Sequence, residues 1–147
     1  MPRFVLDASV TLPWCFKDEA NSYSDSIFEA LNRQYAVTTA LWPFEVASAL
    51  ATAERKGRIN QSGTKTFLER LWVLPVQVEM HPAMWVCHEA LELTRRFRLT
   101  AYDASYVALA QRMNLPLATM DDDMRAAAAT VGVRLFGGSV ASPPALS

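Results

Sequence analysis

Cysteine is scarce in this chain, and Cys15 and Cys87 are its only two. They lack the Cys-x-x-Cys or Cys/His spacing of a zinc site, which argues against a structural zinc or a disulfide framework. We predict that both are reduced thiols in or near the core. Histidine is equally scarce: His81 and His88 belong to no metal-binding motif, and we expect both to be surface or partly packed side chains.

Long apolar runs and a leading signal-peptide pattern are also missing. No run is long enough to span a bilayer, which argues against a membrane protein. The first residues lead directly into a strand-like segment, so we expect a cytoplasmic protein. With 147 residues and 51% hydrophobic content, the chain fits one compact domain that buries an ordinary core.

A strong charge of either sign is absent. The formal net charge is −1, which gives no global attraction to nucleic acid. Cations nevertheless cluster in two runs, at residues 55–58 and 95–98, and either run could hold a phosphate backbone. The alternative is that both are helix ends, where cations are favoured by the helix dipole and by solvation.

Strand-like and helix-like patterns alternate along the chain, which is the order of an α/β fold. We interpret residues 44–72 as a helical pair inserted between two strands. Residues 1–136 form the predicted domain, and the Gly- and Pro-containing residues 137–147 form a flexible or loosely packed tail. Strands are predicted over residues 3–6, 35–39, 76–80, 117–120 and 133–136, and helices over residues 22–32, 44–56, 62–72, 83–97, 101–113 and 122–130.

Four acids stand where an apolar or strand-like segment gives way to a helix-like pattern. They are Asp7, Glu45, Asp103 and Asp121. In an open parallel sheet, ligands bind at the carboxyl ends of the strands, so acids from distant parts of the chain can converge there. A hard divalent cation such as Mg²⁺ or Mn²⁺ prefers oxygen ligands of this kind. The pattern therefore predicts a metal site.

Helix capping is the alternative explanation for each acid. Asp7 could cap a helix after the first strand, and Thr100-x-x-Asp103 and Thr119-x-x-Asp122 resemble capping boxes. For any one acid alone, capping is the better explanation. Capping does not, however, require acids to follow strands repeatedly, and it does not favour Glu45 within an apolar helix.

Four motifs in order resemble those of PIN-domain ribonucleases of the VapC toxin type. The resemblance runs from about residue 4 to residue 136, and its specificity comes from the four motifs together. The motifs are VLDASV at residues 5–10 with Trp14 downstream, WPFEVASAL at 42–50, LTAYDASY at 99–106 and LATMD at 117–121.

The resemblance implies roles for particular residues. Asp7 and Asp103 would be the main metal ligands, and Glu45 would position water or make an outer contact. Asp121 would hold a second metal or bind through water, with Asp123 matching a further acid found in some members. Ser9 and Thr119 would support the site, Asp122 would cap the following helix, and Trp14 would line the site.

The resemblance also implies a fold, an activity and partners. The fold would be PIN-like: a three-layer α/β/α domain with a central, mainly parallel sheet and the inserted helical pair. The activity would be Mg²⁺- or Mn²⁺-dependent endoribonuclease cleavage leaving a 5′-phosphate. The protein would be a homodimeric toxin, inhibited by a small antitoxin whose amphipathic segment occupies an apolar groove at residues 44–72.

Other functions remain open at this point. One is a housekeeping PIN nuclease that processes RNA without an antitoxin. Another is a non-catalytic binding module in which the acids are structural. Independently of function, we expect Trp72 and Trp85 to lie in the core or an interface. A phosphatase of the haloacid dehalogenase type is more distant, because that chemistry needs Asp-x-Asp after the first strand, and Asp7-Ala8-Ser9 lacks the second acid.

Overall fold

Four short parallel strands form the centre of the fold. The structure is a computed structural model that describes residues 3–137. Within that range the strands are hydrogen-bonded in the order β3-β2-β1-β4, and every pair is parallel. The strands are β1 (Arg3–Leu6), β2 (Tyr35–Thr38), β3 (Val76–Val78) and β4 (Leu117–Ala118).

Seven α-helices occur among the described residues, and they alternate with the strands as the sequence predicts. Helices α3 and α4 form the predicted pair inserted between β2 and β3. Two short 3₁₀ turns, Leu12–Trp14 and Lys17–Glu19, follow α1. The helices are α1 (Ala8–Thr11), α2 (Ser22–Ala30), α3 (Trp42–Arg55), α4 (Gln61–Leu71), α5 (Ala83–Arg96), α6 (Ala101–Met113) and α7 (Asp122–Thr130).

Both faces of the sheet are covered. Successive side chains of a strand point to opposite faces, yet Phe4, Val5 and Leu6 of β1 are all completely buried. A parallel sheet buried on both faces is the expected product of helical crossovers. The predicted α/β fold, with a central parallel sheet between layers of helices, is therefore confirmed.

Polar contacts within the core fix the carboxyl ends of the first two strands. Thr38 Oγ1 donates to the carbonyl of Leu6 at 2.8 Å, which ties the end of β2 to the end of β1. The buried indole of Trp42 donates to Thr11 Oγ1 at 3.0 Å and so joins α3 to α1. Because the partners are buried, losing either bond leaves a polar group unsatisfied. These bonds hold the edge of the sheet from which the acids project.

Some sequence predictions are wrong. The strand predicted over residues 133–136 is reduced to one parallel bridge between Leu117 and Leu135, because the chain turns at Gly137, whose φ is +70°. Cys87 is exposed on α5, whereas Cys15 lies partly buried against the core as predicted. Trp72 and Trp85 are exposed, so of their two predicted places the core is excluded and an interface is left. The predicted tail, apart from Gly137, lies outside the described residues.

No helix in residues 3–137 is long and apolar enough to cross a membrane. His88 is exposed on α5, as expected. His81 is partly buried beyond the end of β3, and its environment differs from that of an ordinary surface histidine, as described below.

Candidate metal centre

The candidate site lies at the carboxyl edge of the sheet. Asp7 directly follows β1, and Thr119 directly follows the neighbouring strand β4. The backbone N–H of Asp7 donates to the carbonyl of Ala118 at 3.1 Å, so the two strand ends are fixed side by side. Residues separated by more than a hundred positions in sequence thereby meet at one point.

Asp7 is a buried carboxylate held by two hydroxyl groups. The residue is only 4% exposed. Its Oδ2 atom accepts hydrogen bonds from Ser9 Oγ at 2.6 Å and from Thr119 Oγ1 at 2.8 Å. Although Asp7 occupies the N-cap position of α1, its side chain makes no capping bond. The capping explanation therefore fails for Asp7, and both predicted supporting residues contact it directly.

Thr119 links Asp7 to the last acidic motif. Its buried hydroxyl donates to Asp7 and accepts from the backbone N–H of Asp121 at 3.1 Å. Asp121 itself is the N-cap of α7, and its Oδ1 accepts from the N–H of Met124 at 2.9 Å. The prediction that Asp122 caps this helix is therefore wrong, because the helix begins one residue earlier than that role requires. Asp122 and Asp123 are both exposed in the first turn of α7.

Glu45 lies in the first turn of α3 and is bound by a tyrosine of α6. The hydroxyl of Tyr106 donates to Glu45 Oε1. Tyr106 is completely buried, and burial together with the neighbouring Glu45 raises the pKa of its phenol far above the usual range. The phenol therefore stays protonated as a hydrogen-bond donor and holds the Glu45 carboxylate in place.

Asp103 stands at the start of α6. The hydroxyl of Thr100 caps this helix by accepting from the N–H of Asp103 at 3.1 Å, so half of the predicted capping box is present. The Asp103 side chain is partly exposed. Burial raises its pKa, and the charges of Asp121 and Asp123 raise it further.

Electrostatic coupling shows that the acids share one environment. Burial raises the pKa of Asp7 to about 6, and the charges of Glu45 and Asp103 add to the rise. Burial also raises the pKa of Glu45, with Asp103 again contributing. Like charges that lie close together disfavour each other's ionised form. The predicted acids are thus electrostatically coupled, with Asp103 coupled both to Asp7 and Glu45 and to Asp121 and Asp123.

The donor set suits a hard cation. It consists of carboxylate oxygens, which Mg²⁺ and Mn²⁺ prefer as ligands. Among residues 3–137, no three acidic, histidine or cysteine side chains lie close enough together to hold one ion between them. A hydrated Mg²⁺ keeps several waters and needs only one or two protein carboxylates. An ion at this edge would therefore be held by one or two of these carboxylates and otherwise by water.

Sequence reasoning missed two residues near the site. Tyr106 stands three positions after Asp103, so helical spacing could have indicated that both face the same way. Arg125 Nε donates to the carbonyl of Thr119 at 2.8 Å, and no sequence pattern indicates this contact. Trp14, by contrast, donates to the carbonyl of Ser24 at 2.9 Å and packs edge-on against Phe28. Both of these contacts join Trp14 to α2.

Known proteins share this architecture. Ribonuclease VapC3 from Pyrobaculum aerophilum is 27% identical over 119 residues, which cover 81% of this chain and 89% of that relative. The crystal structure of PAE2754 from the same organism matches with a TM-score of 0.63 and 24% identity, covering 86% of each chain. A toxin-antitoxin complex from Klebsiella pneumoniae matches with a TM-score of 0.55 and 14% identity, covering 82% of this chain and 88% of that one.

The parallel sheet and the acids grouped at its carboxyl edge define a PIN-like α/β domain with a carboxylate site. The family model for the PIN domain matches residues 4–129, most of the chain. The protein therefore belongs to the PIN domain family.

Proposed function

We propose that this protein is a metal-dependent endoribonuclease, the toxin of a toxin-antitoxin pair. One observation carries the proposal: Asp7 is buried, held by Ser9 and Thr119, and raised in pKa by burial and by the nearby acids Glu45 and Asp103. Burial and nearby negative charges disfavour the ionised form of Asp7, so this carboxylate contributes little to the stability of the fold. A bound cation would offset that cost and accounts for an acid at this position. Similarity to Ribonuclease VapC3 supports RNA as the substrate.

Each acid of the site has a proposed role in binding metal or water. Asp7 and Asp103 are the proposed direct metal ligands, and Ser9 and Thr119 fix the orientation of Asp7. Mg²⁺ or Mn²⁺ bound there would supply Lewis acidity and lower the pKa of a coordinated water. Glu45, oriented by Tyr106, would accept hydrogen bonds from that water. Asp121 and Asp123 would contact a second ion or hydrating waters beside Asp103.

Cleavage of RNA is the direct test. Purified protein with labelled total RNA and Mn²⁺ or Mg²⁺ should give defined cuts with 5′-phosphate ends. Asp103→Asn removes a proposed ligand charge, and we expect it to lower the rate by at least about a hundredfold, the size of effect seen when one preorganised electrostatic group is lost. Asp18→Asn, an exposed acid beside Arg58, is the matched control. Equal cleavage by wild type and Asp103→Asn would contradict the proposed site.

Arginines before α6 are the proposed contacts to the RNA backbone. Arg98 is exposed in the segment that leads into α6 and Asp103. In the other basic run, Arg58 forms ion pairs with Asp18 at 2.9 Å and Glu19 at 3.0 Å, so its charge is already neutralised. Arg95 lies 3.8 Å from Glu92, a longer separation than in either ion pair of Arg58. Within the described residues, the run at 95–98 is therefore the better phosphate-binding surface.

The salt dependence of RNA binding tests this assignment. Arg98→Ala should reduce the slope of log K against log salt by about 0.7, the value for one phosphate contact on a single strand. Binding is measured in EDTA so that cleavage does not interfere. Arg33→Ala is the control, because Arg33 is exposed just before β2, at the opposite edge of the sheet. Equal slopes for both variants would show that residues 95–98 do not bind the backbone.

A groove beside α3 is the proposed antitoxin site. Its volume is about 450 Å³, and it extends from Glu45 along Ala49 and Ala53 to Lys56. Other lining residues come from the two 3₁₀ turns and the segment between them, including Leu12 and Phe16, and α4 contributes no lining residue. The groove therefore includes α3 residues of the predicted region 44–72 but no residue of α4. Its apolar floor fits an amphipathic helix, and Glu45 at one end would accept a basic side chain.

A substitution in the groove separates inhibition from catalysis. Ala49→Arg places a long cation on the groove floor and should abolish inhibition by a small protein encoded beside this gene, while RNA cleavage persists. Ala51→Arg on an exposed position of α3 is the control. If no neighbouring protein inhibits the wild type, the housekeeping nuclease becomes the better function.

A second copy of the chain is the remaining proposed partner. Trp72 and Trp85 are 55% and 56% exposed, and Met84 is 70% exposed. Large apolar side chains on the surface mark interaction sites when they cluster. Met84 and Trp85 are adjacent in α5, and we propose this exposed pair, together with Trp72, for the homodimer interface.

A further inference from the structure

A small pocket lies beside the acids at the carboxyl ends of β2 and β3. Its volume is about 230 Å³, roughly half that of the groove beside α3. A space of this size holds on the order of seven waters, which suits one planar ring system and is too small for a helix. It is lined by Thr39, Ala40, Leu41, Glu79, Met80, His81, Val86, Ser105, Leu109 and Arg112.

The pocket contains a buried polar atom without a partner. Within residues 3–137, the Nε2 atom of His81 is buried and makes no hydrogen bond. Glu79 Oε1 lies 3.8 Å away, too far for a hydrogen bond between the two groups. Buried polar atoms are almost always satisfied, so an orphan of this kind points to a ligand or to ordered water.

The other polar groups of the pocket are already engaged. Arg112 is bound to Glu89 of α5, with its Nε 3.0 Å from Glu89 Oε1. Ser105 Oγ donates to the carbonyl of Tyr102 at 2.6 Å. His81 and Glu79 are therefore the pair left to recognise a ligand. They form a donor and an acceptor side by side, above walls of Leu41, Val86 and Leu109.

The pocket is connected to the catalytic edge through contacts. Thr39 lines the pocket and lies beside the hydroxyl of Tyr106. Tyr106 in turn donates to Glu45. The pocket thus opens at the same edge of the sheet as the proposed metal centre, displaced by one strand. A nucleotide near the acids could place a neighbouring base there.

We propose that this pocket binds an unpaired guanine base of the RNA substrate, an inference that rests on the proposed ribonuclease function. Guanine has two adjacent N–H donors, N1 and N2, which match the two oxygens of the Glu79 carboxylate. Its O6 atom lies next to N1 and accepts from His81 Nε2 when that nitrogen carries the proton. The other bases offer a carboxylate only one such donor on this edge. Because this edge is used in base pairing, only a single-stranded guanine fits.

Histidine NMR tests the pocket without relying on cleavage. The chain has two histidines, so exposed His88 is an internal control for His81. In EDTA, guanosine 5′-monophosphate should change the ring ¹⁵N chemical shifts of His81 and leave those of His88 unchanged. Uridine 5′-monophosphate should bind about tenfold more weakly, in line with the discrimination given by one good bidentate contact. Glu79→Gln should abolish the difference, and Glu92→Gln on exposed α5 should preserve it.

Equal shifts with both nucleotides, or an unmoved His81 signal, would overturn the guanine pocket. Cleavage of total RNA separates this result from failure of the proposed function. Guanine should be enriched at a fixed position near the cuts of wild type and Glu92→Gln, and the enrichment should disappear in Glu79→Gln. Metal-dependent cuts without guanine enrichment would overturn the pocket while leaving the ribonuclease intact.

Discussion

Replacing Asp7 by asparagine should raise the melting temperature of the metal-free protein at pH 8 while abolishing cleavage of RNA. Asparagine is nearly isosteric with aspartate. Both hydrogen bonds to Asp7, from Ser9 and Thr119, end on the same oxygen, Oδ2. An amide oxygen in that place can accept both. The substitution therefore removes a buried charge and keeps the contacts that hold the side chain.

The pH dependence follows from the pKa of Asp7. In the folded protein burial raises it to about 6, whereas an unfolded chain gives about 3.9. The folded state therefore holds the proton more tightly, and wild-type stability falls as pH rises from about 4 to about 6. A difference of about two pKa units corresponds to about 3 kcal/mol. For a chain of this size that is roughly 6 to 12 °C in melting temperature.

Calorimetry at several pH values, in EDTA, measures this effect. The advantage of Asp7→Asn should be largest above pH 6 and should vanish below about pH 4, where Asp7 is protonated in both states. Adding Mn²⁺ should stabilise wild type by about 2.7 kcal/mol at a hundred times its dissociation constant, and should leave the variant unchanged. A variant less stable than wild type at pH 8, or one equally stabilised by Mn²⁺, would show that Asp7 is a structural acid.

The sequence predicted the elements that carry the site because its local signals agree. Proline at the start of α3, Thr100 before α6 and Gly57 after α3 each fit the conformation they adopt, and Gly57 has a φ of +72°. The end of β4 was harder to predict. The pattern at residues 117–120 continues past Ala118, but the Thr119 side chain bonds to Asp7 and the chain leaves the sheet.

The assignment among Asp121, Asp122 and Asp123 depended on information that is not local. Three consecutive acids offer three equivalent candidates for a helix cap. The hydroxyl of Thr119 accepts from the N–H of Asp121, which places that residue at the cap position. Only the contact between Thr119 and Asp7, across 112 positions of sequence, fixes this arrangement.

The pairing of Glu45 with Tyr106 shows the same limit. Each lies in a helix whose existence the sequence predicts, but the contact between α3 and α6 spans 61 positions. Periodicity reports which side of a helix is apolar and does not report which helix it meets. The buried orphan nitrogen of His81 could not be predicted for the same reason.

Replacing Thr119 by valine should give the second large effect, in the opposite direction to Asp7→Asn. The hydroxyl of Thr119 is completely buried and satisfies two partners, the carboxylate of Asp7 and the N–H of Asp121. Valine has almost the same shape but leaves both partners without this bond. Loss of a buried hydrogen bond to a charged group is worth about 1.5–3 kcal/mol. We expect a destabilisation of about 2–4 kcal/mol at pH 8.

Thr119→Ser is the matched control, because serine keeps the hydroxyl and loses only a methyl group, worth about 1 kcal/mol at any pH. The effect of valine should instead shrink below about pH 4, where Asp7 is neutral. It should also shrink in the Asp7→Asn background, because the double-mutant cycle removes the charge that the hydroxyl stabilises. If valine and serine destabilise equally, and by the same amount at all pH values, Thr119 acts through packing alone. A larger, pH-dependent loss with valine would show that its hydroxyl keeps the Asp7 carboxylate ionised and ready for a cation.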